Sequence, residues 1–425
     1  MLDGEANGEG EPMDPATSDA KAITGFTPTR EAGLGRLDAV AAKLGGHYRQ
    51  HRNHDLGPQD RSNVSVLSPY VTHRLLTERE LVERAVAEHG GGTPEKFVQE
   101  VFWRTYWHGW LEMRPHIWSS YTERRDAALE RVEGNGGMMR DYRAAMNGET
   151  GIEGFDDWAV EIRDTGYLHN HARMWFASIW VHTLRLDWAL GSDFFYRHLI
   201  DGDPASNTLS WRWVAGLQTR GKAYAATQSN IARFTNGRFN PRGLNENPVP
   251  LEEDEDLSPD PIDPVPPLPG GKAVVLVHSS DCRTEDMRWP GTTIVGAFGA
   301  SHVATRSPLD VSEAVAAFVP DAVRDGVERA GTHYDAPTVK HHGEGAAEAL
   351  VAHARDVGAD HVVTPYMRVG DGRAWLDGLK RECREEGLPI HEARRDWDAA
   401  AWPYATKGFF KFKERIPKLM REAGL

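Results

Sequence analysis

The spacing of apolar positions changes once along the chain. Between residues 25 and 245 apolar side chains recur with the period of a helix, as in SVLSPYVTHRLLTERELVERAV, FVQEVFWRTYWHGWLEM and HARMWFASIWVHTLRLDWAL. Ser68 is predicted as an N-cap with Pro69 at the first helical position, and Thr77 and Glu80 as a capping box. Strand signals are few here. The pattern therefore predicts an all-α domain over 25–245.

Residues 271–425 have a different pattern. KAVVLVHSS, TTIVGAFGA and ADHVVTPY are short apolar runs with β-branched residues, and they predict buried strands. The segments between and after them, such as DVSEAVAAFVPDAVRDGVERA and GEGAAEALVAHARDVG, predict helices. Alternating strands and helices indicate an α/β domain with a parallel, Rossmann-like sheet. No G-x-G-x-x-G fingerprint follows the first strand, which argues against a dinucleotide-binding fold of that kind.

Two segments outside these domains are polar. Residues 1–24 are expected to be disordered. Residues 246–270 contain eight acidic residues and eight prolines, so they are expected to form a semi-extended linker. The net charge is −14, yet the segment 204–245 before the linker has no acidic residue and six basic ones: Arg212, Arg220, Lys222, Arg233, Arg238 and Arg242. Such a segment is either a solvated face or a surface that contacts DNA.

Composition excludes some classes of protein. Two cysteines cannot build a disulfide framework or a four-thiolate metal site. The acidic, polar N-terminus does not read as a signal peptide, and the most apolar stretch carries charges. A cytoplasmic protein without a membrane span is therefore expected, with a monomer favoured. No metal site is predicted, because no carboxylate or thiolate completes a ligand set with the clustered histidines His47, His51, His54, His169, His171, His341 and His342.

The stretch LIDGDPASNTLSWRW (199–213) combines two carboxylates, an amide and two indoles. Neither a helix core nor a solvent loop favours that combination. Fourteen tryptophans occur in the chain, mostly between 103 and 213, and large aromatics alone often just fill a core. The same stretch resembles a motif of the photolyase/cryptochrome family. SVLSP, EVFWRTYW, TGYLHNHARM and FTPTREAGLGRLDAV…YRQHRN resemble further motifs of that family in the same order, over about 200 residues.

The resemblance implies an all-α FAD-binding domain of photolyase type. The turn around Ser65 resembles the family's phosphate-binding turn, and free N–H groups at a helix start suit an anion. Asp201 and Asp203 are expected to accept hydrogen bonds from ribose or flavin groups, Arg173 to pair with one of them, and Asn207 to face flavin N5. The full set of expected FAD contacts is Tyr48, Val64, Ser65, Val66, Leu67, Ser68, Arg173, Asp201, Gly202, Asp203 and Asn207.

The resemblance also implies roles in electron transfer and DNA repair. Trp211 corresponds to the flavin-proximal electron donor and Trp188 to the next donor, while the distal donor is open between Trp118 and Tyr121. The residues expected to act on a cyclobutane pyrimidine dimer, or to move the electron, are Glu100, Asn170, Met174, Trp188, Trp211 and Trp213. The residues expected to contact DNA that contains such dimers are Arg52, Glu100, Trp103, Arg104, Asn170 and His171.

Several departures keep a second function open. Val66 replaces an Arg of the phosphate turn, Thr105 a Glu and His171 an Arg, and the family's usual run after Trp213 is absent from 214–245. The leading hypothesis is an FAD-dependent cyclobutane-dimer photolyase. The alternatives are a cryptochrome-like blue-light receptor without repair activity, and a flavin-binding protein with a structural role.

The α/β domain loosely resembles the family's antenna domain, which normally precedes the flavin domain. We therefore expect swapped domain order, that is, a circular permutation. A generic nucleotide-binding domain is the alternative. A second, antenna chromophore is an open expectation, and its identity is unknown from sequence.

Overall fold

The structure is a computed structural model that describes residues 25–90 and 94–425, so the predicted disorder of 1–24 lies outside the described residues. The described part of the chain up to the linker is helical. Its α-helices are α1 (Arg30–Val40), α2 (Gly46–His51), α3 (Ser68–Thr72), α4 (Glu78–His89), α5 (Glu95–Glu112), α6 (His116–Glu133), α7 (Gly136–Asn147), α8 (Phe155–Thr165), α9 (Asn170–Ser178), α10 (Trp188–His198), α11 (Pro204–Ala215) and α12 (Gln228–Phe234).

The C-terminal part is a five-stranded sheet flanked by helices. Its elements in chain order are β1 (Gly271–His278), β2 (Thr292–Ala300), α13 (Glu313–Tyr334), β3 (Thr338–His341), α14 (Ala346–Val357), β4 (His361–Pro365), α15 (Asp371–Glu385), β5 (Ile390–Ala393), α16 (Asp396–Ala401), α17 (Phe409–Lys413) and α18 (Ile416–Glu422). All strands are parallel, in the order β3-β2-β1-β4-β5. The predicted fold class, a helical domain followed by a parallel α/β domain, is confirmed.

Local details differ from the sequence prediction. The Thr77–Glu80 capping box is present at the start of α4. Ser68, however, is the first residue of α3 rather than its N-cap. The apolar run after Asn170 is two helices instead of one, because a π-helical segment (179–183) follows α9 and Arg185 then takes φ 57°. Strands β3 and β5 were missed because each has four residues and few are fully buried.

The linker lies along the helical part without forming helix or strand. The Leu251 N–H donates to Ala215 O, and the Asp260 N–H donates to Met113 O. The Arg114 guanidinium donates to Leu257 O. The acidic segment is therefore docked on the helical domain over most of its length. No helix of the described residues is long and apolar enough to cross a membrane.

A buried ionic network joins the two domains. Arg74, which follows α3, donates two hydrogen bonds to Asp398 of α16 at 2.7 and 2.8 Å and one to Asp281 after β1 at 3.1 Å. Arg395 also donates to Asp281. Because sheet order reverses between β1 and β4, the carboxyl ends of these two strands form the switch-point crevice of the sheet. Here that crevice is closed by the helical domain.

Candidate functional site

The turn between α10 and α11 is the centre of the candidate site. Gly202 separates the two carboxylates, and a Cβ there would lie 2.8 Å from Tyr196 O and 3.0 Å from Leu199 O, so only glycine fits. Arg306 of the α/β domain donates to those same two carbonyl groups. The domain interface thus fixes the turn from outside.

Asp201 forms the ion pair that its buried charge requires. The Arg173 guanidinium donates to both Asp201 oxygens, at 2.8 and 3.0 Å, and the Ser68 hydroxyl donates to Oδ2 at 2.5 Å. The expected pairing of Arg173 with one of the two carboxylates is therefore present. The pair and Ser68 link α9, the turn before α11 and the start of α3, which brings three of the predicted motifs together.

Asp203 has several hydrogen-bond partners within the protein. Its carboxylate accepts hydrogen bonds from Arg104 at 3.1 Å, from His108 Nε2 at 2.8 Å and from the Ser206 N–H at 2.7 Å. Burial alone would raise the pKa of Asp203, but the Arg104 guanidinium and His108 hold it well below its usual range. The carboxylate thus accepts three hydrogen bonds within the protein, one of them as the N-cap of α11, and its expected contact with a ribose or flavin stays a prediction.

The turn at 64–68 has a strained backbone. Val66 is buried and takes φ 53°, a left-handed conformation that is an outlier for a β-branched residue. The Arg36 guanidinium donates to Ser65 O at 2.8 Å and to Val64 O at 3.3 Å. The Leu67 carbonyl starts the five-residue helix α3, which is too short to supply a strong dipole at this turn.

Two arginines near this turn were missed by sequence reasoning. Besides Arg36, Arg61 lies over the Tyr167 ring at 4.4 Å, and Arg173 lies 5.3 Å from the same ring. Arg61 pairs with Glu161 through Nη2, whereas its Nε and Nη1 are buried with no partner among the described residues. These cations stand near the turn that lacks its usual Arg at Val66. No spacing rule in the sequence connects them to it.

The residues expected at the flavin ring lie on one helix. The Asn207 amide nitrogen donates to Ser192 O and Oγ at 2.8 and 3.0 Å, so Oδ1 is the atom that it can present to a ligand. Trp211 follows one turn later and is buried, and its Nε1–H has no partner within the described part of the chain. The spacing of Asn207 and Trp211 places both on one face of α11.

The indoles form two packed groups. Trp211 contacts Phe195 and Trp180, with ring centroids 5.0 and 6.2 Å away. Trp188 contacts Tyr121 at 5.8 Å, and Tyr121 contacts Trp118 at 5.1 Å. The structure therefore places both residues considered for the distal donor in one series with Trp188. It also adds Trp180, which sequence reasoning did not select, directly against Trp211.

The residues expected at a lesion lie on three helices of the helical domain, α5, α9 and α11. Glu100 lies 3.6 Å from Arg52 and 3.7 Å from Lys96, and burial raises its pKa despite these cations. Tyr48 packs on α5 against Phe97 at 5.4 Å. Asn170 and Met174 lie on α9, the former exposed and the latter half-buried. Trp213 is half-buried on α11 and contacts Tyr224 at 5.3 Å.

Three expected DNA contacts are engaged within the protein. Trp103 is stacked on Phe409 of α17, with centroids 3.6 Å apart and planes 11° apart, so one face of its indole is covered. Arg104 is bound to Asp203 and lies 3.4 Å from Glu78. Both side chains have partners within the protein, and their contacts with DNA stay predictions. Sequence could not reveal this, because the covering segment is about 300 residues away.

His171 is the third of these residues. Its Nδ1 is bonded to Asn53 O at 2.9 Å, and its ring lies 4.1 Å from Trp175. Burial lowers the pKa of His171 to about 4, so the ring is neutral at pH 7 and does not supply a cation to a phosphate. Of the six basic residues at 204–245, Arg212 is buried against Glu253 and Glu255, whereas Lys222, Arg233 and Arg242 are exposed.

These features define a class: a helical domain with buried carboxylate, guanidinium, amide and indole side chains around one turn, next to an α/β domain. Residues 97–243 match the model of the FAD binding domain of DNA photolyase. This segment of the chain is therefore similar to the FAD-binding domain of the photolyase/cryptochrome family.

Curated relatives are matched over part of their length. The deoxyribodipyrimidine photo-lyase of Streptomyces griseus is 38% identical over 157 residues, which is 37% of this chain and 33% of the relative. That of Escherichia coli is 28% identical over 205 residues, 47% of this chain and 42% of the relative. The chain thus spans less than half the length of these relatives. A class III photolyase structure from Agrobacterium tumefaciens has TM-score 0.42 at 24% identity, over 52% of this chain and 46% of that one.

The donors present fit a flavin dinucleotide. The buried atoms Trp211 Nε1, Ser206 Oγ and Arg61 Nη1 have no partner within the described residues, and a buried unpaired polar atom is costly. A dinucleotide brings ring heteroatoms, ribose hydroxyls and phosphates that can pair with such atoms. Arg36 and Arg61 suit the phosphates, and Asn207 with the Arg173–Asp201 pair suits the ring.

Proposed function

We propose that the protein is a light-dependent DNA repair enzyme that uses FAD to split cyclobutane pyrimidine dimers. The observation that carries the proposal is the Ser68–Asp201–Arg173 cluster beside Asn207 and Trp211, inside the segment that matches an FAD-binding domain. Photolyase relatives at 28–38% identity support the reaction type. The order of the domains supports the expected circular permutation, which remains part of this proposal.

The chemistry that FAD supplies when bound is light-driven transfer of one electron to the dimer, which returns after the cyclobutane bonds break. Asn207 offers Oδ1 as an acceptor without adding charge at the ring, because its amide nitrogen is held by Ser192. Arg173 and Asp201 together present a nearly neutral pair. Trp211 can donate an electron to restore the reduced form of the cofactor.

Glu100 is the side chain best suited to contact the dimer. It is half-buried beside Arg52, with 22% of its side chain exposed, and burial raises its pKa, so more of it is protonated than of an ordinary carboxyl group at the same pH. The protonated acid can donate a hydrogen bond to a pyrimidine carbonyl. Asn170, Met174 and Trp213 would form the wall of the pocket. The dimer has to leave the DNA duplex to reach such a pocket.

Repair itself is the experiment that tests the proposal. Purified protein with reduced flavin is mixed with an oligonucleotide that carries one thymine dimer, and blue light is compared with a dark control. Light-dependent recovery of thymine absorbance is expected. No recovery in protein that contains flavin and is photoreducible would contradict the repair function.

A second function, blue-light reception without repair, is favoured by one observation. Phe409 covers the face of Trp103, and Arg104 is held by Asp203, so two groups expected at DNA are engaged. A receptor would retain Trp211 and the cofactor site but bind dimer-containing DNA no better than intact DNA. Titration of the protein with both DNAs at increasing salt distinguishes a receptor from a repair enzyme. It also tests a purely structural role, because a protein that contacts phosphates has a salt-dependent affinity for DNA.

A further inference from the structure

The acidic linker contributes one side chain to the tryptophan series. Trp188 is the first residue of α10, and its indole is buried. Its Nε1–H donates a hydrogen bond of 3.1 Å to the Glu253 carboxylate. Glu253 lies in the segment 246–270, outside the residues 97–243 that match the FAD-binding domain. A carboxylate is thus delivered to this indole by a part of the chain that the matched domain lacks.

The carboxylate is held in a fixed position. Arg124 donates to Glu253 Oε1 at 2.7 Å, and Arg212 donates to Oε2 at 3.0 Å. Arg124 also binds Asp187, the N-cap of α10, at 2.9 Å. Glu255 completes the cluster by binding Arg212 at 2.6 Å. The carboxylate is therefore positioned by two guanidinium groups, of which Arg124 bonds the same oxygen as the indole.

The charges around the ring largely offset one another before oxidation. Arg124 and Arg212 lie 5.8 and 5.7 Å from the centre of the Trp188 indole, and they are paired with Asp187, Glu253 and Glu255. Loss of one electron turns the neutral indole into a cation, whose Nε1–H is far more acidic than that of the neutral ring. The Glu253 oxygen that already accepts this hydrogen bond at 3.1 Å is therefore placed to receive the proton.

We propose that Glu253 is the base that accepts the Nε1 proton of Trp188 after Trp188 has been oxidised. This inference rests on the proposed function, in which Trp211 would donate an electron to the bound cofactor under light. One electron passes from Trp188 to oxidised Trp211, the Trp188 N–H bond breaks, and an O–H bond forms on Glu253. The products are a neutral indolyl radical and a carboxylic acid, and return of one electron and that proton restores both groups.

The transfer holds the separated charges apart. The neutral Trp188 radical returns to the intact indole only when it receives both an electron and a proton. Recombination by electron transfer alone is therefore slowed. Glu253 would thereby act as the proton acceptor in the photoreduction, directly bonded to the reacting indole N–H.

Flash photolysis of the full, FAD-loaded chain tests the inference with Glu253→Gln, which retains an oxygen acceptor but not a base. Glu255→Gln is the matched control, because Glu255 binds Arg212 in the same linker while Glu253, not Glu255, bonds the indole. The indole radical cation and neutral radical are separated by their absorption spectra. We expect Glu253→Gln to slow conversion of the cation by on the order of a hundredfold, the lower range for a positioned base, with the control unchanged.

Two further readouts complete the test. The first is the NMR resonance of the Trp188 indole N–H in flavin-free protein, which is assigned by its loss in Trp188→Phe. This resonance should shift in Glu253→Gln and not in Glu255→Gln. Glu253→Asp, which keeps a carboxylate, should convert the cation at a rate closer to that of unchanged protein. An unshifted resonance, or equal conversion rates in Glu253→Gln and unchanged protein, overturns the role of Glu253 alone. Unchanged protein that forms no tryptophan radical overturns the proposed electron path as well.

Discussion

Arg173 and Asp201 face each other at 2.8 Å from α9 and from the turn before α11, and Ser68 binds the same carboxylate. Three segments that are more than 25 residues apart in sequence thus meet at one buried charge pair. The Arg173 side chain is 23% exposed, whereas the Asp201 side chain is 3% exposed. A cofactor could therefore reach the pair from the side of Arg173.

Replacement of Asp201 by Asn should remove flavin from the purified protein. The change leaves the Arg173 guanidinium without its counter-charge, which costs about 1–3 kcal/mol for a buried hydrogen-bonded partner. Flavin absorbance per protein and urea unfolding measure the two effects. Ser68→Ala, which removes one hydrogen bond and no charge, should retain more flavin. Equal flavin content in Asp201→Asn and unchanged protein would exclude the pair from the cofactor site.

The Arg74–Asp398 contact predicts strong coupling between the domains. Asp398→Asn removes the negative charge that faces the buried Arg74 guanidinium. Breaking a buried ion pair in this way lowers the free energy of unfolding by about 3–5 kcal/mol. Urea unfolding followed by tryptophan fluorescence should show this loss. Glu88→Gln breaks a partly exposed pair with Arg84, where about 0.5 kcal/mol or less is expected. A loss for Asp398→Asn as small as for Glu88→Gln would show that the interface does not stabilise the fold.

Buried neutral histidines predict a loss of stability at acid pH. His278 Nε2 is bonded to Pro365 O at 3.1 Å and its Nδ1 accepts the Ser280 N–H, while burial lowers its pKa to about 4. The unfolded state, with the ordinary pKa of 6.5, then binds more protons than the folded state between pH 6.5 and 4. Stability therefore falls as pH falls through this window, by about 1.4 kcal/mol per pH unit for one such group.

The measurement is the free energy of unfolding of His278→Asn between pH 7 and 4.5. The variant should lose stability at neutral pH and show a shallower pH slope than unchanged protein. His342→Asn, at an exposed position, is the control and should keep the full slope. A slope that is the same in all three proteins would contradict a neutral His278 in the folded state.

Sequence predicted the elements better than their contacts. The helical and α/β halves, the Thr77 capping box and the Arg173 pairing were all readable, because each depends on local periodicity or on charge compensation within a motif. The role of Asp203 was not, since Arg104 and His108 reach it only through the packing of α5. Nor could the sequence reveal that Phe409 covers Trp103 or that Glu253 binds Trp188, because these contacts depend on how distant segments dock.

The electron path predicts different effects for three tryptophans. Trp211→Phe should slow flavin photoreduction strongly and spare repair by chemically reduced protein. Trp180→Phe tests a branch that the structure suggests, because Trp180 lies 6.2 Å from Trp211. If the hole travels through Trp188, Trp180→Phe should leave photoreduction nearly unchanged while Trp188→Phe slows it. A large effect of Trp180→Phe alone would move the path to Trp180.

The protonation of Glu100 predicts the pH dependence of repair. Burial raises its pKa, so the fraction of protonated acid increases as pH falls through a range higher than for an ordinary carboxyl group. If the acid donates a hydrogen bond to the dimer, repair yield per absorbed photon should increase as pH is lowered within the stable range. Glu100→Gln, which donates at every pH, should retain much of the yield and lose this pH dependence.

Glu100→Ala should lower the yield at all pH values while flavin content is unchanged, because it removes the donor and leaves Arg52 without its 3.6 Å partner. Flavin absorbance and the quantum yield of dimer splitting at several pH values separate these cases. A yield in Glu100→Ala equal to that of unchanged protein would show that α5 does not face the lesion. That result would agree with the stacking of Phe409 on Trp103, one turn away on the same helix, and would favour the receptor function.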